Sequence, residues 1–297
     1  MSDSVSTTIL QKLQNYRHLL TKSKISKTLV YVLFMCYYKT KKTELVMKKP
    51  VRIIISVFAV IILCAGGYVA DMFGFFAKGN SAQYGISSAE VMTDSPLNGK
   101  TGIFLGSSVT YGYGSMGISF ADFLEKTDRL TAIKEAVSGT TLVDNGAKSY
   151  VARMKTIDKN IKADFFMCQL STNDATKELP LGKISDSFNP DDFNTQTITG
   201  ATEYIIAYAK TTWNCPVIFY TQAEYDSAYY GEMVSMLLSV AEKWDITVID
   251  FWNNEKINNI TDEEKALYLV DHIHPTKAGY KIWWLPEIQQ TLYSIAK

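Results

Sequence analysis

Apolar positions along the chain fall into three regimes. Between residues 53 and 70 the run Ile-Ile-Ile-Ser-Val-Phe-Ala-Val-Ile-Ile-Leu-Cys-Ala-Gly-Gly-Tyr-Val-Ala carries no charge and follows Lys48, Lys49 and Arg52. From 71 to 98 no period is visible, and Ser, Gly and Asn accumulate as in a linker or an irregular lead-in. From Thr101 onward short apolar runs alternate with amphipathic stretches, the pattern of a βαβ sheet. The runs predict strands at 101–105, 133–137, 164–170, 217–221 and 247–251. Helical spacing predicts helices at 119–130, 150–159, 201–212, 229–244, 262–268 and 277–295. Five strands with helices between them point to a three-layer sandwich. The stretch 177–199, with Pro180, Gly182, Pro190 and Asp191-Asp192, has no period, and a loop of that length in a compact domain is often functional.

The uncharged run reads as a membrane-targeting segment, because at 1.5 Å per residue it just crosses a thin hydrocarbon layer of about 30 Å. Two forms of it stand. One is an uncleaved transmembrane anchor with Met72-Phe73-Gly74-Phe75-Phe76 as an interfacial collar; the other is a signal peptide cut near Ala65-Gly66-Gly67. Either form leaves the lysines inside and sends the rest of the chain outside, as a single-pass cell-membrane protein or a secreted one. Residues 1–52 are then a basic cytosolic n-region. Within them 28–38 is apolar but too short to span, and Met47-Lys48-Lys49-Pro50 looks like the opening of an export signal, so 1–46 read as the product of an upstream start codon.

Charge sharpens this division. The chain of 297 residues holds 30 basic and 30 acidic side chains; 11 of the basic and 2 of the acidic lie in residues 1–52, leaving 19 and 28 for the remainder. An acidic domain has no electrostatic footprint for nucleic acid, so no nucleic-acid partner is expected. Four cysteines, Cys36, Cys64, Cys168 and Cys215, show no metal-binding spacing, and the last two are expected as free buried thiols.

Candidate chemistry sits at two distant places. In Gly102-Ile-Phe-Leu-Gly-Ser-Ser-Val-Thr-Tyr-Gly-Tyr-Gly114 an apolar strand breaks at Gly106-Ser107-Ser108, which puts a hydroxyl on a strand-to-helix turn at the carboxyl edge of a parallel sheet. Taken alone, such serines are ordinary helix caps. Far along the chain comes Asp271-His272-Ile273-His274-Pro275, with two of the three histidines; the third, His18, lies in the basic N-terminal region. An Asp three residues before a His can hold the imidazole Nδ1–H and leave the other ring nitrogen free to take a proton from a serine, which His274 fits better than His272. Ser138-Gly139 follows the second predicted strand and Thr172-Asn173-Asp174 the third. The N–H groups of Ser108 and Gly139 and the Asn173 side chain could together form an oxyanion hole. The P-loop reading of 106–114 fails for want of a Lys-Ser or Lys-Thr.

These four blocks, in this order, resemble those of the SGNH hydrolases, also called the GDSL esterase/lipase superfamily, over residues 99–297. The resemblance implies a three-layer α/β/α sandwich with a five-stranded parallel, flavodoxin-like sheet. It implies Ser108 as nucleophile, His274 as base, Asp271 as its orienting carboxylate, and Ser108, Gly139 and Asn173 as oxyanion donors, with no cofactor and no metal. The usual Gly-Asp-Ser is here Gly-Ser-Ser, and Ser171 stands where the family has a glycine before its asparagine block. The implied activity is extracytoplasmic hydrolysis of a small-molecule or polysaccharide acyl ester, with cell-surface carbohydrate as one substrate class and Tyr225, Tyr229 and Trp252 as candidate stacking faces. Two alternatives use the same fold: an acyltransferase with the same residues, and a catalytically silent carbohydrate-binding module.

Overall fold

The computed structural model describes residues 49–296. The expectations for the region before them, including the upstream start, the segment 28–38, His18 and Cys36, lie outside the described residues. Leu63 closes one compact unit and Cys64 opens a second, which carries all five strands.

The uncharged run 53–70 lies inside helix α1, Lys49–Met72. Among the described residues, however, no helix is long and apolar enough to cross a membrane. The uncharged stretch is bracketed by Arg52 and Asp71 and contains Gly66 and Gly67. At about 1.5 Å per residue it reaches about 27 Å, short of a hydrocarbon layer of about 30 Å. This corrects the expected transmembrane anchor, the membrane as a partner through residues 53–70, and the single-pass placement that followed from them.

Strands β1 (Thr101–Gly106), β2 (Thr131–Ala136), β3 (Phe165–Gln169), β4 (Val217–Tyr220) and β5 (Thr247–Ile249) form one parallel sheet in the order β2-β1-β3-β4-β5. That is the flavodoxin-like order, which places ligand sites beyond the carboxyl ends of the strands. Side chains alternate between faces, so each strand serves two cores. Ile103, Leu105, Phe166, Cys168 and Phe219 pack on one side with the helices Tyr150–Met154 (α4), Ile198–Thr212 (α6) and Ala228–Trp244 (α7). Phe104, Met167, Ile218 and Tyr220 pack on the other with Phe120–Asp128 (α3) and the C-terminal helix. Cys168 and Cys215 are free and buried, and Cys64 is free and exposed.

The C-terminal helix departs from the regular one expected over 277–295. It opens as a π-helical stretch, Gly279–Trp284, and continues as α10, Leu285–Ile295. Pro286 has no N–H to donate, and the wider turn is the local accommodation. Three short helices escape the periodicity altogether: α2 (Ser108–Tyr111), α5 (Thr172–Thr176) and α8 (Glu255–Asn258). Each is little more than one turn, too short for a 3.6-residue repeat to show. The helix at 262–268, α9 (Asp262–Tyr268), has the expected bounds and a Thr261–Glu264 capping box.

The long stretch after α5 is pinned from behind. Lys243 Nζ donates to the carbonyls of Ser185 and Ser187 at 2.6 Å each and pairs with the buried Glu203, whose other oxygen accepts from Ser185 N–H at 2.9 Å.

Candidate active site

Ser108 is placed by a turn that four elements hold. The strand ends at Gly106, where a Cβ would collide with the Thr110 side chain, so the tight approach needs glycine. Gln169, buried at the end of β3, accepts with Oε1 from Ser107 N–H at 2.9 Å and from Thr110 Oγ1 at 2.9 Å. Thr110 Oγ1 also lies 2.6 Å from the Tyr220 hydroxyl on β4. Arg153 on α4 donates to the Gly106 carbonyl at 2.8 Å, to Thr140 Oγ1 at 3.1 Å and to the Glu135 carbonyl at 2.9 Å, joining the ends of β1 and β2. We expect Gly106→Ala to lower stability by about 1–3 kcal/mol through overpacking, read as a shift of the denaturant midpoint at unchanged slope.

His274 sits on a loop closed by an antiparallel bridge between Leu269 and Pro275, with Val270 N–H donating to the His274 carbonyl at 3.0 Å. Inside it Asp271 Oδ1 accepts from the backbone N–H of Ile273 and of His274, both at 2.8 Å, while Oδ2 lies 2.8 Å from His274 Nδ1. Partial burial works against the Asp271 charge, but the hydrogen bond and charge of His274 and the two N–H donors outweigh it and bring the carboxyl down to about 2. From β4 outward, Gln222 donates to the Ile273 carbonyl at 2.6 Å and fixes the loop's far side.

His274 Nε2 lies 2.8 Å from Ser108 Oγ, so the loops bearing them meet across 166 positions of sequence. Asp271, His274 and Ser108 thus form one continuous hydrogen-bonded line. His272 takes no part in it; its ring lies 6.1 Å from that of Tyr225.

Gly139 and Asn173 follow β2 and β3, the two neighbours of β1, so both flank Ser108 at the carboxyl edge. Gly139 has φ 78°, and open space surrounds the position of a Cβ. Asn173 Nδ2 donates one proton to the Thr140 carbonyl at 3.0 Å and keeps a second. The buried Asp174 clamps the same two loops by accepting from Leu142 N–H at 2.8 Å and Val143 N–H at 3.1 Å, while its burial pushes its carboxyl above the ordinary range. Gln169, Arg153 and Asp174 were not singled out for the site by sequence reasoning. The visible signal was a polar or charged side chain inside an apolar element, as in Phe-Phe-Met-Cys-Gln for β3.

A cavity of about 530 Å³ opens beside the histidine loop, lined by Tyr225, Trp252 and Trp283, by Glu224, Asp226 and Asp262, and by His272. Tyr229 lies elsewhere, with its hydroxyl donating to the Leu179 carbonyl at 2.5 Å. Among the described residues no group of three or more His, Cys, Asp or Glu is placed to hold a metal ion.

Residues 104–282 match the model of the GDSL-like Lipase/Acylhydrolase family. Among solved structures, a protein from Lactobacillus plantarum is similar at 19% identity and TM-score 0.57, over 66% of this chain and 98% of its own. A protein ascribed to the lipolytic G-D-S-L family from Desulfitobacterium hafniense DCB-2 is similar at 18% identity and TM-score 0.50, over 64% of this chain and 98% of its own. At these identities the likeness concerns the fold. No curated protein matches the chain.

Proposed function

The chain belongs to the GDSL-like lipase/acylhydrolase family, and on that premise we propose that it hydrolyses carboxylic esters through an acyl-enzyme on Ser108. One observation carries the reading: the line Asp271–His274–Ser108, with both links at 2.8 Å. Ser108 Oγ attacks the acyl carbon while His274 Nε2 takes its proton; the alcohol leaves with that proton, and water, deprotonated in turn by His274, releases the acid. Asp271 fixes the tautomer that leaves Nε2 free to accept. The N–H of Ser108, the N–H of Gly139 and the second Nδ2 proton of Asn173 are the donors assigned to the oxyanion, each worth about 2.7–4 kcal/mol at the transition state. An aligned relay of this kind supports catalysis over a silent binding module.

The alcohol part of the ester belongs on the side of His274, because Nε2 must hand its proton to the leaving oxygen. The 530 Å³ cavity beside the histidine loop, which neither Ser108 nor His274 lines, has aromatic faces at Tyr225 and Trp252 and carboxylate acceptors at Glu224 and Asp226. Those groups suit a polyhydroxylated alcohol, which favours a carbohydrate O-acyl ester as substrate. A fluorophosphonate probe tests the assignment of the nucleophile. Peptide mapping is expected to place the label on Ser108, and a label on any other serine, or none, would reject it.

A further inference from the structure

The segment ahead of β1 contributes to the site from outside the stretch 104–282 that matches the family. Its centre is Asn80, in the 3-10 turn Lys78–Asn80, with 6% of its surface exposed. Asn80 Nδ2 donates to the carbonyls of Gly74 and Gly114, both at 2.7 Å, and its Oδ1 accepts from Lys277 N–H at 2.8 Å. Gly114 lies in the turn that follows α2, the helix begun by Ser108, and Lys277 lies three residues beyond His274. One buried amide therefore ties the loop of the hydroxyl to the loop of the imidazole.

The surroundings point the same way. A Cβ on Gly114 would come within 3.0 Å of the His274 Cβ and 2.9 Å of the Pro275 carbonyl, so the two loops are in backbone contact at this point. The Phe73 ring packs on Tyr113 at 4.9 Å and Tyr113 on the His274 ring at 5.0 Å. A Cβ on Gly79 would meet the Leu267 carbonyl and the Thr276 side chain, which leaves the strap 73–80 little room to shift.

We propose that Asn80 is a positioning residue that sets the spacing between Ser108 and His274, an inference that rests on the esterase reading above. Proton transfer between the two needs their heavy atoms at hydrogen-bond distance, and a misplacement of about 1 Å can cost about 100-fold in rate. Asn80→Asp is close to isosteric; it keeps the acceptor for Lys277 but turns an oxygen towards two carbonyls, whereas Asn80→Ala removes the tie without adding charge.

The test uses the full chain with a short-chain aryl ester, at a temperature where circular dichroism shows each variant folded. Both variants are expected to lose about 10- to 100-fold in kcat, and the same factor in the rate of fluorophosphonate labelling, with KM within about threefold of the parent. Lys78→Ala, an exposed change in the same turn, is expected to match the parent. Folded variants with parental kcat and labelling rate would overturn the role of Asn80, as would a loss no larger than the unfolded fraction. If Asn80→Asp does not fold, Asn80→Ala decides alone; if neither folds, Asn80 is a folding residue and the proposal falls. Parental turnover in Ser108→Ala would instead overturn the esterase reading, and this inference with it.

Discussion

Replacing Ser108 with alanine is expected to lower kcat for ester hydrolysis by about 10⁴- to 10⁶-fold while leaving the fold intact. The size follows from removing the only atom that can bond to the acyl carbon in the proposed route. The intact fold follows from what that atom touches: among the described residues Ser108 Oγ has His274 Nε2 as its hydrogen-bond partner and makes no other side-chain hydrogen bond. The residue is buried, the methyl group of alanine is smaller than the side chain it replaces, and the backbone N–H assigned to the oxyanion stays where it was. Thermal unfolding should therefore overlay that of the parent. Ser107→Ala is the informative companion, because the Ser107 hydroxyl turns inward and lies 3.3 Å from Gln169 Oε1. It should cost far less activity, a loss within about tenfold. If turnover of an aryl ester were equal in Ser108→Ala and the parent, or if Ser107→Ala were the dead variant, the nucleophile would be misassigned.

What could be read in advance was local, and what could not was carried across the sheet. Strand β1 and the Ser108 turn are contiguous, and Asp271 and His274 share one loop, so a few residues of sequence hold each half of the arrangement. The fourfold order of blocks then implied that the halves meet, as the 2.8 Å link between His274 and Ser108 reflects. Gln169 and Arg153 stood out as polar side chains in apolar elements, but their partners could not be read, because these come from other strands and turns: Gln169 reaches Ser107 across 62 positions and Arg153 reaches Gly106 across 47. Asn80 spans 197 positions to Lys277 from a segment that looked like a linker. Hydrogen bonds of such separation leave no periodic trace, since only one residue at each end is constrained. The error at 53–70 has a different origin. The 18 uncharged residues sufficed only for a thin hydrocarbon layer, and Arg52 and Asp71 cut their apolar length short.

Asp271→Asn is expected to lower kcat by about 10⁴-fold, through the proton on the imidazole rather than through the loop. The amide oxygen of the variant can still accept the N–H groups of Ile273 and His274, so the loop keeps its shape. Its NH₂ then faces His274 Nδ1 and must donate to it. That fixes the hydrogen of a neutral ring on Nε2, which points at Ser108 Oγ as a donor and has no lone pair for the serine proton. The parent's pH profile separates this effect from protonation of the carboxylate. Burial raises and the His274 contacts lower the Asp271 pKa, with a net value of about 2, so the carboxylate stays ionised throughout the assay range. An acid whose folded pKa is depressed lends stability that is full above its unfolded value of about 3.9 and is lost only as pH falls through the folded value. Between pH 8 and 5 the Asp271 contribution to stability should therefore stay whole. Measuring the melting temperatures of the parent and of Asp271→Asn side by side from pH 5 to 8 checks this: their difference should not change across the range. Parental activity in Asp271→Asn would remove the carboxylate from the relay.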